Sequence, residues 1–153
     1  MYLQDNGFVY NFYSLMKNIF LLSFLMLFVC SCSSDSDTIN ISTEALPIES
    51  VVIPEEFQFG EIYPIEVTYL RPSSCHIFNT FYIENNDNET TVILVNTVYE
   101  DANCETLEAS NSETGATFNF QVNDMNTQVF KFWQGKDDNG SDLYLVVEVP
   151  VVE

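Results

Sequence analysis

His76 is the only histidine in the chain, and it follows Cys75 directly. A thiol beside an imidazole suits either a metal ligand pair or nucleophilic chemistry. With Cys104 the set reaches two thiols and one imidazole, and no further ligand lies near in sequence, which makes a poor zinc site. Nucleophilic work needs a base and an orienting group converging on one hydroxyl or thiol. The chain contains no G-x-S-x-G, HExxH or P-loop pattern. Glu55-Glu56 and Asp137-Asp138 are adjacent pairs, and neighbours on an extended chain point to opposite faces. The chain is therefore read as non-enzymatic, with no catalytic residues and no cofactor.

Two other stretches could bind something. Asp137-Asp138-Asn139-Gly140-Ser141-Asp142 offers oxygens at Asp137, Asn139 and Asp142, as calcium requires. Its spacing is not that of an EF-hand, and a solvated hairpin tip explains it as well. In Phe130–Trp133, an extended chain puts Lys131 and Trp133 on one face and Phe130 and Phe132 on the other. An outward Trp beside a Lys either stacks on a sugar ring or partner side chain, or covers a sheet edge.

The formal charge is −19, from 23 acidic and four basic residues. Such a surface repels phosphates, so nucleic acid is excluded as a partner. It favours solubility, or attraction of cations and basic partners.

The elements that would position these residues read as strands. Ile65, Val67 and Tyr69 alternate with Glu66 and Thr68; Phe118, Phe120 and Val122 alternate with Asn119, Gln121 and Asn123. Thr91–Tyr99 is nearly continuous, as in a central strand, and Val51–Ile53 begins the set. Asn85–Glu89 separates Ile77–Ile83 from Thr90–Tyr99, which predicts a hairpin. Asn139-Gly140 predicts a second, joining Gln128–Trp133 to Asp142–Val149. The polar connection Asp101–Gly115 has room for one helical turn at Cys104–Ala109. About seven strands without intervening helices give an all-β, single antiparallel β-sandwich. In outline it resembles the immunoglobulin-like sandwich, although Trp133 follows both cysteines instead of lying between them.

Met16–Asp37 reads MKNIFLLSFLMLFVCSCSSDSD. Its apolar run, Ile19–Val29, falls short of the roughly 20 residues a bilayer span needs. Lys17 before the run and small residues after it make a signal peptide. Val29-Cys30-Ser31-Cys32 resembles the bacterial lipobox, which implies cleavage before Cys32 and lipidation of that residue. Ser33 resembles the outer-membrane sorting position, and the acidic run to Asp37 resembles the surface-export signal of Bacteroidetes-type lipoproteins. Asp37-Thr38-Ile39 is similar to the short O-glycosylation motif of that group, which implies a glycan on Thr38. The expected organisation is an over-extended start at 1–15, a signal peptide at 16–31, a lipidated flexible tether at 32–48 and the sandwich at 49–153.

In an exported chain, Cys75 and Cys104 form an even pair and read as a disulfide. It would join the approach to one hairpin to the loop leaving it. The function expected from the whole is a non-enzymatic binding or structural module at the cell envelope. The lipobox resemblance implies mooring by lipid to the outer membrane and the export-signal resemblance implies exposure at the outer surface, with an envelope protein or glycan as the expected partner. The alternative is a small inhibitor or accessory factor that acts on a hydrolase through Asp101–Gly115 or Asp137–Asp142.

Overall fold

The computed structural model describes residues 40–100 and 103–153. The lipobox cysteine Cys32, Thr38 and the signal segment lie outside them. The described chain is an all-β sandwich. Its strands are β1 (Ile41–Leu46), β2 (Ile48–Val52), β3 (Phe57–Gln58), β4 (Ile62–Leu70), β5 (His76–Asn86), β6 (Glu89–Tyr99), β7 (Glu113–Gln121), β8 (Gln128–Lys136), β9 (Asp142–Val149) and β10 (Val151–Val152). One four-residue helix, α1 (Ala109–Ser112), precedes β7.

β6 organises the larger sheet. β5 runs antiparallel along one of its edges from Asn86 to His76. The opposite edge is shared: β1 takes Leu94–Tyr99 antiparallel and β8 takes Glu89–Val92 parallel. β9 completes the sheet beyond β8. The second sheet has the order β2-β4-β7, and a short parallel ladder joins β3 to β10. The chain passes from the first sheet to the second at Pro47, which has no N–H to leave unpaired at the crossing.

Both inner faces follow the period-2 pattern. Ile65, Val67 and Tyr69 from β4 meet Val92 and Leu94 from β6 and Phe130 and Phe132 from β8, all essentially inaccessible. A run of rings crosses this core: Phe57 and Phe130 are 6.1 Å apart, Phe120 and Phe130 4.9 Å, and Phe81 and Phe118 5.1 Å. These tilted and edge-on contacts suit aromatic quadrupoles, and each large side chain contributes about 1.5–3 kcal/mol by burial.

Several boundaries differ from those expected. There are ten strands among the described residues, not seven. The expected tether, 32–48, contains all of β1 and the start of β2, so the folded part begins well before residue 49. β1 escaped notice because its first four side chains are exposed; its ladder to β6, not an apolar face, holds it. The helical turn expected at Cys104–Ala109 forms later, at Ala109–Ser112, because Thr106 is held extended by a bridge to Ser73. Both expected hairpins are present.

Candidate functional site

An open cleft of about 400 Å³ lies where the two sheets part at one end, within the usual range of roughly 300–1,000 Å³ for small-molecule sites. Its walls come from three places. β5 and its turn supply Ile83, Asn85 and Asp87; β7 supplies the segment Phe118–Gln121; the β7–β8 connection and its flanks supply Asn123, Asp124 and Gln128. Thr90 of β6 lies behind Asn85. Phe118 and Phe120 turn inward on β7 and are half-buried, so their rings form an apolar wall.

Hydrogen bonds fix the mouth. Thr90 Oγ1 donates to Asn85 Oδ1 at 2.9 Å, which leaves the Asn85 amide hydrogens for another acceptor. Asn88 Nδ2 donates to Thr127 O at 2.8 Å, and Val129 N donates back to Asn88 O at 2.8 Å. The β5–β6 turn is thereby tied to the β7–β8 connection. Within that connection, Asn126 donates through N and Nδ2 to Asp124 Oδ1, at 2.8 and 2.7 Å. Gln128, nearly buried, donates from Nε2 to Asn126 O at 2.8 Å. Asp87 takes a left-handed backbone conformation, φ 52°, which a short polar side chain tolerates in a tight turn. A mouth held in this way loses little entropy when a ligand enters.

Lys131 and Trp133 do face outward on β8, opposite the buried Phe130 and Phe132. Each has a partner within the fold. Lys131 Nζ is 2.8 Å from Glu89 Oε2, and Trp133 Nε1 donates to Asp142 Oδ1 at 2.9 Å. Neither lines the cleft.

At the β8–β9 hairpin tip, one oxygen of each of Asp137 and Asp142 is engaged within the loop. Asp137 Oδ1 accepts from the backbone N–H groups of Asn139 and Ser141, both at 2.8 Å. Asp142 Oδ1 accepts from Lys136 Nζ as well as from Trp133, with the ammonium at 2.9 Å. Of the candidate cation-binding oxygens, Asp137 Oδ1 thus accepts from the loop's own N–H groups and Asp142 Oδ1 from a lysine and an indole. The Ser141 amide, helped by Asn139 and Gly140, holds the Asp137 carboxyl below its usual range. Lys136 first, then Trp133, does the same for Asp142. Among the described residues, no three His, Cys, Asp or Glu side chains are grouped to hold a metal.

His76 lies in a polar chain, not among apolar neighbours. Its Nε2 is 3.0 Å from Glu44 Oε2 and its Nδ1 is 2.8 Å from Ser73 Oγ. An ionised carboxylate only accepts, so in the neutral ring Nε2 carries the proton and the Ser73 hydroxyl donates to Nδ1. The order serine–histidine–acid is that of a hydrolytic relay, with the two ring nitrogens exchanged. A nucleophile also needs room for substrate in front of its oxygen. None of the three residues lines the cleft, which opens at the other end of β5. The Ser73 oxygen also accepts from Cys75 N at 3.3 Å. The Cys75–Cys104 disulfide is formed next to this group, with Cα atoms 5.4 Å apart. It is a local staple, as the spacing implied, and it settles the choice between disulfide and metal pair for these thiols.

Compared with family models, with curated proteins and with solved structures, the chain finds no match in any of the three.

The sequence marks Asn85–Glu89 only as a hairpin turn and gives no sign of the β7 contribution. The alternation of Phe and amide residues from Phe118 to Asn123 reads as strand pattern, because nothing local shows that the two sheets separate there.

Proposed function

We propose that the protein is a non-enzymatic binding module of the cell envelope, anchored through lipid on Cys32 and offering the β5–β7 cleft to its ligand. The cleft carries this reading: it combines a ring-lined wall with the amide side chains of Asn85 and Gln128, which hydrogen bonds within the fold already hold in place. The disulfide is in keeping with an oxidising compartment. The lipobox resemblance supplies the anchor, and the acidic surface suits a soluble head exposed to water.

Two measurements test the reading. Mass spectrometry of the mature N-terminus is expected to find acylated Cys32, and Cys32→Ala is expected to release the protein from the membrane fraction. Hydrogen exchange of the detergent-solubilised protein, with and without a soluble envelope digest, is expected to show protection at 83–90 and 118–128. An unacylated chain that fractionates with the cytosol removes the anchor. Protection absent from both segments removes the binding site.

A further inference from the structure

We infer that the occupant of the cleft is an uncharged, polyhydroxylated glycan segment. The inference rests on the binding reading above and adds the chemical class of the ligand. Asn85, Asn123 and Gln128 line the cleft with carboxamides; Asn85 Oδ1 accepts from Thr90 and Gln128 Nε2 donates to Asn126 O, so together they present the Asn85 amide hydrogens, Gln128 Oε1 and the Asn123 amide as donors and acceptors. Sugar hydroxyls have the same double character, so vicinal hydroxyls and carboxamides pair without a net charge on either side. Phe118 and Phe120 offer rings for the C–H face of a pyranose.

The charges speak against an anionic ligand. No Lys, Arg or His lines the cleft, while Asp87 and Asp124 do. An anionic ligand would meet those carboxylates within a chain of net charge −19. A cationic ligand would be drawn by the same field, but it would use neither the rings nor the carboxamides, and Asp124 Oδ1 already accepts two hydrogen bonds from Asn126; oligolysine in the test below separates this class. A wholly apolar ligand would strip water from the carboxamides without replacing their hydrogen bonds. A sugar is apolar on one face and hydroxylated on its edges, and it meets both kinds of wall.

The test titrates the full detergent-solubilised protein with cellohexaose, maltohexaose, mannohexaose and xylohexaose, and separately with oligogalacturonate and oligolysine. At least one neutral oligosaccharide is expected to bind. Asn85→Ala is expected to weaken it about tenfold, the equivalent of one hydrogen bond of about 1.4 kcal/mol. Asn123→Trp, at an exposed position of the lining, is expected to block the cleft and abolish binding while leaving the urea midpoint unchanged. Asn139→Ala, at the distant hairpin tip, is expected to leave binding unchanged. Binding of oligolysine or oligogalacturonate in place of the neutral sugars overturns the inference. So does neutral-sugar binding that survives Asn123→Trp. If the exchange footprint from the envelope digest appears and none of the neutral sugars binds, the ligand class is wrong while the binding site stands.

Discussion

His76 and Glu44 meet across a strand to which neither belongs. Glu44 sits on β1 opposite Asn96, and His76 sits on β5 opposite Val98, two places along the same inner face of β6. Their side chains close to 3.0 Å over that strand. The contact pins the first strand of the folded region to the edge strand that carries the cleft at its far end, about 30 Å away at roughly 3.3 Å per residue.

Glu44 is half-exposed and His76 is nearly buried, so the pair is screened on one side only. Replacing Glu44 with Gln is expected to cost about 0.5–1 kcal/mol, since an amide still accepts from Nε2. His76→Ala is expected to cost more, because it also strands the Ser73 hydroxyl. Urea unfolding of the two variants checks the order. Equal losses would mean that the Ser73 contact contributes nothing.

The disulfide closes a loop that contains the whole β5–β6 hairpin. Chain entropy alone gives it about 3–4 kcal/mol for a loop of roughly 30 residues. The Cys75→Ser/Cys104→Ser double variant is expected to keep its strand content by circular dichroism, because the hairpin ladder is continuous apart from one bulge at Phe78/Thr80. Its urea midpoint is expected to fall accordingly. Loss of strand signal in native buffer would show that the staple is needed for folding.

The β8–β9 tip is expected to respond to acid late. Asp137 and Asp142 have depressed folded-state pKa values. Their contribution is therefore fully present above the unfolded carboxylate value of about 3.9, and it is lost as pH falls through the lower folded values. Carboxyl-carbon NMR titration checks the shifts. In Lys136→Met the Asp142 value is expected to rise, because its largest cause is removed, while Asp137 stays low on its backbone amides. A simultaneous rise of both would mean that the tip holds together only through the lysine.

Asn96 is fully buried, and neither its Nδ2 nor its Oδ1 has a hydrogen-bond partner among the described residues. Burial, the larger effect, pushes the Tyr69 hydroxyl above its usual pKa, while the Asn96 amide nonetheless comes near enough to pull it down, as Arg71 does more weakly, without reaching hydrogen-bond geometry. Asn96→Leu is expected to raise stability by about 1–2 kcal/mol, since an unpaired amide gives way to an apolar side chain of similar size. Thermal unfolding checks it. A lowered midpoint would show that a buried water satisfies the amide in solution.

Parts of this molecule are legible residue by residue. The alternation in Ile65–Tyr69 and Phe118–Val122, the Asn139-Gly140 turn, and the inward Phe130 and Phe132 beside an outward Trp133 all follow from a period of two and from turn chemistry, which are local properties of the chain. The Cys75–Cys104 pairing is the one left when Cys30 is expected to go with a leader and Cys32 to carry lipid. What the fold alone decided involves residues far apart in sequence. β1 has almost no buried face, and its place depends on an unpaired length of β6, which no pattern in Ile41–Leu46 records. Glu44 finds His76 only because β6 lies between them. The tip oxygens of Asp137 and Asp142 accept from loop amides and Lys136 because the hairpin closes on itself. The cleft exists because β5 and β7 diverge beyond Phe81 and Phe118. Strand identity is written in neighbouring residues, but the gap between two sheets is set by how they pack, and packing is a property of the whole fold.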